Sequence, residues 1–420
     1  MVGRHRGGLS ADFWTFWTGQ TLSNLGGSFS MFALPLLVYQ LTHSAVSLGI
    51  TSASVFLPYL LFGLVIGAWL DRVDRKRLMI ATDLARALVI AAIPALYLTG
   101  HLSVWWIYGL GFVSSTLGIC FDAGEFAAIP SLVRQDDLVT ANGRIQASYA
   151  AATVVGPLLA APLVTVLPLP TVLLIDALSF LVSALTLATI RRGFNTTERR
   201  APTSLRRDIA DGLRYVLGHP VLRNISAMMA LVNVFGSTAN VQLVLFAKRQ
   251  LGATNAQVAL LYAAGSVGVV VLGLVAGRLR KRFPFSRVAL SALMLDGLLI
   301  VLLSVTRVYW VALPLWALAS GVGILFNINT GSLRQAIVPG HLLGRVMSIA
   351  GVLAWSAIPL GTLLGGVAIE RTGNVALVYG VVGAVTFLIP VAFSFTALGH
   401  AERYLPELDG ETTPEPVATG

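Results

Sequence analysis

From Phe13 to Leu70 the chain carries no Asp, Glu, Lys or Arg. A helix needs about 20 mostly apolar residues to cross hydrocarbon. This interval therefore holds two such helices, with Gln40-Leu-Thr-His-Ser44 as the polar turn between them. The same alternation of long apolar runs and short polar gaps continues along the chain. It predicts spans near 13–39, 45–70, 78–98, 104–128, 144–167 and 171–190. After a basic segment at 191–219, six more follow near 221–247, 256–277, 287–305, 308–328, 345–369 and 375–398. The expected organisation is a six-helix bundle over 1–190, a cytoplasmic linker over 191–219, a second six-helix bundle over 220–400 and a tail over 401–420. From Pro406 to Gly420 the tail is rich in Pro, Glu and Thr, a composition that disfavours order.

The halves repeat. Gly63-Leu-Val-Ile-Gly67 closes the second span, and Gly273-Leu-Val-Ala-Gly277 closes the eighth, 210 residues later. Each copy runs into a basic loop, Asp71-Arg-Val-Asp-Arg-Lys-Arg77 and Arg278-Leu-Arg-Lys-Arg282. Gly156-Pro157-Leu-Leu-Ala-Ala161 in the fifth span corresponds loosely to Pro359-Leu-Gly-Thr-Leu-Leu-Gly-Gly366 in the eleventh. Two parallel six-helix repeats form an architecture used by carriers that rock about a central site.

Composition agrees with a lipid solvent. Residues are 56% hydrophobic and 11% charged, with mean hydropathy +0.79, against about 25% charged in soluble domains. The net charge of +10 raises nucleic acid as a partner, but the basic residues sit in the short gaps between apolar runs. That placement is a topology signal, so nucleic acid is excluded. With both termini cytoplasmic, the outer loops hold only Lys248, Arg249, Arg307 and Arg371 of the 29 basic residues, Arg86 lies in the third span, and the rest face the cytoplasm. Trp105, Trp106 and Tyr108, and likewise Tyr309 and Trp310, open spans at the outer interface. Cys120 is the only cysteine, which excludes an intrachain disulfide. The apolar run after Met1–Asp12 is too long for a cleavable leader. There is no Walker glycine loop, no His-x-x-x-His pair and no Cys cluster, so neither an enzyme, a cofactor nor a metal site is expected, and ATP does not drive transport.

Gly67-Ala-Trp-Leu-Asp71-Arg72-Val-Asp74-Arg75-Lys76-Arg77 is the most specific string in the chain. Gly67 permits close helix approach, Asp71 at a helix end suits a neighbouring cation or helix N-terminus, and the basic run pins the loop to the cytoplasmic face. Contacts of this kind break if two halves rock, so the loop can latch. The string resembles the signature loop between helices two and three of the major facilitator superfamily, with Asp74 where Gly is usual. Ile129-Pro-Ser-Leu-Val133, Ala141-Asn142, Ile175-Asp-Ala-Leu-Ser-Phe180 and Gly344-Arg-Val-Met-Ser348 resemble the branch that contains macrolide and multidrug efflux pumps and siderophore exporters. The resemblance implies an all-α membrane fold of 12 helices in two pseudo-symmetric bundles, multi-pass in a bacterial inner membrane. It also implies export of hydrophobic or amphipathic small molecules in exchange for protons, by a monomer. An importer or uniporter, and a receptor or scaffold without transport, are the alternatives. The gating residues expected are Gly67, Asp71, Arg72, Arg75, Lys76 and Arg77. Gly156-Pro157 resembles the antiporter signature and, physically, bends and thins its helix.

Polar side chains in hydrocarbon are costly and therefore informative. Gln20, Asn24, Asn233, Asn240 and Asn327 fall on the first, seventh and tenth spans. Helices one, four, seven and ten line the cavity in the resembled family, so these five are expected in its wall. Asp122, Glu125, Asp176 and Asp296 are the candidate proton carriers. Asp122 and Glu125 lie toward the cytoplasmic end of span four, where pairing with Arg86 is expected; Asp296 and Asp176 fall on helices that family analogy makes peripheral. Glu370 and Arg371 are expected to form an outer-surface pair. With one arginine inside the spans, neutral or cationic substrates are favoured. In the linker, Leu205, Ile209, Leu213 and Val216 form one stripe of an amphipathic helix suited to the inner leaflet.

Overall fold

The computed structural model describes residues 9–70, 73–134, 137–194, 205–338 and 340–404. Six helices form the first half: α1 (Ala11–Thr42), α2 (Ala45–Leu70), α3 (Arg75–Leu98), α4 (Val104–Leu132), α5 (Leu138–Val166) and α6 (Leu169–Thr189). The linker helix α7 (Leu205–Gly218) leads into α8 (Pro220–Val241), α9 (Leu243–Gln250), α10 (Asn255–Arg282) and α11 (Phe285–Val305). The second half ends with α12 (Tyr309–Ile337), α13 (Gly340–Trp355), α14 (Ala357–Thr372) and α15 (Val375–Ser394). Among the described residues there is no strand. Among the described residues, eleven segments are long and apolar enough to cross a membrane, and α8 with α9, bent by 49°, makes a twelfth if the pair is one span.

Short-range chemistry fixes the helix starts. The Ser10 hydroxyl accepts from the Phe13 amide and itself donates to the Leu132 carbonyl at 2.7 Å, so one side chain caps α1 and ties it to the end of α4. Asp74 accepts from the Arg77 amide at 3.0 Å and caps α3, which gives that side chain a structural role where glycine has none. Thr254 and Gln257 form a reciprocal capping box on α10.

In the first half α1 packs on α5 and α6, α3 on α4 and α6, and α2 on α4. In the second, α10 packs on α12, α11 on α12 and α15, and α14 on α8. The halves meet where α2 lies on α14 and α5 lies on α10. Six spans apart, these two contacts are one contact used twice, as a parallel repeat requires. Small residues set the closest crossings: a Cβ on Gly268 of α10 would fall 1.8 Å from the Ala317 carbonyl oxygen of α12, and one on Gly321 would fall 2.4 Å from the Gly268 oxygen.

The structure departs from the simple span list at four places. The seventh span breaks at Gln242, whose side chain donates to the Ala45 carbonyl of the other half at 2.7 Å. The eleventh is divided at Ser356 into α13 and α14. The tenth helix continues to Ile337, which makes Arg334 a buried helical residue with a bond to the Met229 sulfur at 2.9 Å. The start of the expected tail is a 3-10 turn over Ala397–Tyr404, held because Leu398 and Ala401 are buried and the Glu402 carboxylate accepts from the Ser286 amide at 2.8 Å. Residues 405–420 lie outside the described residues. Helix α7 packs on α8 and α13, with Val216 buried and Tyr215 stacked on His219.

Candidate functional site

A cavity of about 690 Å³ lies between the halves, within the 300–1,000 Å³ range of small-molecule sites. Its wall comes from α1, α2 and α5 on one side and α8, α10, α11, α12 and α15 on the other. Phe32, Phe56, Tyr262 and Trp316 supply aromatic surface, and Phe32 meets Tyr262 edge to face across the halves at 5.9 Å. Asn240, Ser320, Asn327 and Thr386 supply neutral polar groups. Asp296 is the one acidic side chain in the described wall, and no Lys, Arg or His is present there.

The end of the cavity nearest the α1–α2 turn is bridged by main-chain contacts. Glu370 of α14 accepts from the Ala45 amide at 2.9 Å, at the first turn of α2. Gln242 donates to the Ala45 carbonyl at 2.7 Å, Arg249 to the His43 carbonyl at 2.5 Å, and Thr362 to the Gly49 carbonyl at 3.5 Å. His43 supports this geometry with a left-handed backbone, φ 50°. Glu370 thus grips the opposite half rather than pairing with Arg371: it sits at the first turn of α2, where amides without an intrahelical partner and the positive end of the helix dipole favour a carboxylate.

Of the side chains that the sequence marks for the wall, Asn240 and Asn327 line the cavity. Of the other three, Gln20 and Asn233 hold helices together. Gln20, buried, donates to the Ser183 hydroxyl at 3.0 Å; Asn233 donates to the Ala354 carbonyl at 2.8 Å; the Asn24 amide nitrogen is buried without a hydrogen-bond partner. No described residue of α4 reaches the wall, because α4 stands behind α2: Ser115 donates to the carbonyl of Val55, which is itself a wall residue. Pro157 lines the cavity, and a Cβ on its neighbour Gly156 would fall 2.2 Å from the Ser28 Cβ, so that glycine seats α5 against α1.

The carboxylates divide in the same way. Asp176 is buried, accepts from the Ser30 hydroxyl and stays outside the wall. Asp122 faces the Tyr59 hydroxyl at 3.4 Å, and Glu125 has a buried oxygen without a partner. Among the described residues neither forms an ion pair with Arg86, whose guanidinium lies over the Phe180 ring at 4.1 Å. Asp296, expected at the periphery, is in the wall. Asp83 was not among the expected carriers: it is fully buried on α3 and accepts from Ser183 at 2.5 Å, one oxygen remaining without a partner. Its signal was an acid inside an apolar run, the mark that singled out the other carboxylates.

Asp71 and Arg72 lie outside the described residues, and Gly67 falls within α2. The rest of that loop is tied to the first half: Arg75 donates to the Phe194 carbonyl at 3.4 Å, Lys76 to the Ile190 carbonyl, and Arg77 pairs with Asp74 at 3.6 Å.

Comparison with known proteins bears on what this cavity serves. The sequence pattern of the Major Facilitator Superfamily matches residues 16–358. The chain is 25% identical over 369 residues to macrolide efflux protein A of Streptococcus pyogenes, spanning 86% of this chain and 90% of that one. It is 28% identical over 397 residues to the multidrug efflux pump Tap of Mycolicibacterium fortuitum, spanning 91% and 93%. Its fold is similar to that of a bacterial homologue of the human lysosomal transporter Spinster, with TM-score 0.72, 14% identity and coverage of 94% and 97%. A nucleoside transporter, NupG, superposes with TM-score 0.73 at 12% identity, covering 93% and 99%.

Proposed function

The chain belongs to the Major Facilitator Superfamily, and we propose that within it this transporter exports hydrophobic or amphipathic small molecules in exchange for protons. The observation that carries the proposal is the aromatic cavity of about 690 Å³ at the meeting of the halves, bridged at one end by contacts that separating halves must break. Lys and Arg place the opposite end in the cytoplasm, so the bridged end faces outward. Substrate enters the wall from within, the α1–α2 turn lets go, and the halves rock to expose the cavity outside. The loop around Asp71 latches the cytoplasmic end in the alternate state. The relatives named for macrolide and multidrug efflux support the direction and the substrate class.

A pump-deficient bacterial host expressing wild type, Asp71→Asn or empty vector tests this. Wild-type cells are expected to accumulate less of at least one macrolide or dye than the vector control. A protonophore should erase that difference, and Asp71→Asn should resemble the vector. Identical accumulation in all three strains, across macrolides, tetracyclines, dyes and siderophores, refutes it.

A further inference from the structure

We propose that Asp296 is the cavity's single anionic anchor and that a monovalent organic cation and a proton neutralise it in turn. The proposal rests on the export reading above and names its substrate class and exchange ratio. Among the described residues Asp296 has neither a hydrogen bond nor an ion pair, although it stands in the wall of a largely apolar cavity. An ionised carboxylate there is costly without a counter-charge, and the described wall contains no basic side chain. Asn240, Asn327 and Ser320 share the wall but carry no charge. The counter-charge must therefore arrive from outside the protein. Tyr262, Trp316 and Phe32 line the same space, and aromatic rings attract an alkyl- or arylammonium or a phosphonium.

Other acids are already engaged or out of reach. Asp83 holds the Ser183 hydroxyl, Asp176 the Ser30 hydroxyl and Asp122 the Tyr59 hydroxyl. Glu125 has an orphan oxygen but does not line the cavity. Among the described residues only Asp296 combines a place in the wall with an unused carboxylate.

One carboxylate accepts one positive charge. A bound cation X⁺ and a proton exclude each other according to Asp296–COOH + X⁺ ⇌ Asp296–COO⁻·X⁺ + H⁺, which balances charge and mass. Run from opposite sides of the membrane, the exchange carries one cation out for each proton in, and it is electroneutral.

Binding to the purified full chain in lipid nanodiscs tests this, with tetraphenylphosphonium and its neutral analogue triphenylphosphine oxide as probes, between pH 5.5 and 8. The groups facing Asp296 from neighbouring elements leave that window clear. Helix α10 contributes Tyr262 to the wall, α12 and α15 contribute no ionisable wall residue, and Tyr379 of α15 stacks on Phe246. Tyrosines ordinarily titrate near 10. Arg278, Arg282, Arg287 and Arg334 sit at the basic ends of α10, α11 and α12, outside the wall. Glu402 is bonded to Ser286 at that same end.

Wild type is expected to bind tetraphenylphosphonium more tightly as pH rises and to release a proton on binding in weak buffer. Asp296→Asn should bind it at least tenfold more weakly and without pH dependence, while both proteins bind the neutral analogue alike. Equal affinity of wild type and Asp296→Asn for the cation, or a pH-independent wild type, overturns the proposal. If Asp296→Asn does not fold, the wild-type pH series decides alone, with Asp296→Glu expected to preserve it. The binding assay needs no gradient. Intact pH-linked binding without cellular efflux therefore refutes the export reading, whereas efflux with Asp296→Asn binding unimpaired refutes this one.

Discussion

Replacing Glu370 by Gln removes the charge that faces the first turn of α2 and keeps side-chain length and one acceptor oxygen. In the structure that carboxylate accepts from the Ala45 amide at 2.9 Å. A hydrogen bond to a charged group contributes about 1.5–3 kcal/mol, and a negative charge at a helix N-terminus about 0.3–1 kcal/mol at an exposed site. Gln still accepts one bond, and Glu370 is exposed to solvent, so the expected net loss is about 1 kcal/mol after solvent screening. That loss moves the equilibrium between closed and open outer ends by a factor of about five. Nitroxide labels at His101 and Arg307, exposed loop positions on the two halves, report the opening by double electron–electron resonance in a Cys120→Ser background. The long-distance population relative to the short one should rise about fivefold in Glu370→Gln. Arg371→Gln, one residue away, should leave it unchanged. A Glu370→Gln distribution that superposes on wild type, or an equal shift from Arg371→Gln, refutes the reasoning.

Two further substitutions probe the interior. Ser183→Ala strips the buried Gln20 amide and the Asp83 carboxylate of a shared partner, at about 1–3 kcal/mol for each orphaned group; the thermal midpoint of the detergent-solubilised protein should fall by several degrees, and an unchanged midpoint would contradict the buried bond chain. Gly268→Ala forces a methyl to within 1.8 Å of the Ala317 carbonyl oxygen and should destabilise the α10–α12 crossing by about 1–3 kcal/mol. Gly273→Ala, where nothing lies within 4 Å, serves as the neutral control in the same melting assay, and equal curves for the two variants would rule out the close crossing.

The spans were legible because hydrocarbon tolerates few charged residues, and the apolar runs therefore record helix length directly. Breaks were harder. The bend at Gln242 contains neither Pro nor Gly, and its partner is the Ala45 carbonyl 197 residues away, a contact that periodicity does not encode. Polar residues in the spans announced that something was bonded, without saying what. Gln20 and Asn233 turned out to fasten helices, while Asn240 and Asn327 face the cavity. Helix order assigns Asp296 to the periphery, but rotation about the helix axis, which helix order does not encode, brings it to the cavity wall. Arg334 carries no signal of burial in the sequence because it lies past the apolar stretch of α12, which runs on to Ile337.

The four hydrogen bonds that clasp the α1–α2 turn all end on peptide groups, at His43, Ala45 and Gly49. Peptide groups are identical whatever side chain they bear. The turn can consequently diverge in sequence, and with it the surface shown to antibodies or phage, without loosening its hold. Two turn side chains do structural work of their own: the Ser44 hydroxyl accepts from the Ser47 amide at 3.2 Å, and the Thr42 hydroxyl accepts from the Ser44 amide at 3.3 Å. A library that randomises Gln40 and Leu41, both exposed, should retain drug tolerance far more often than one that randomises Gln242, Arg249 and Glu370.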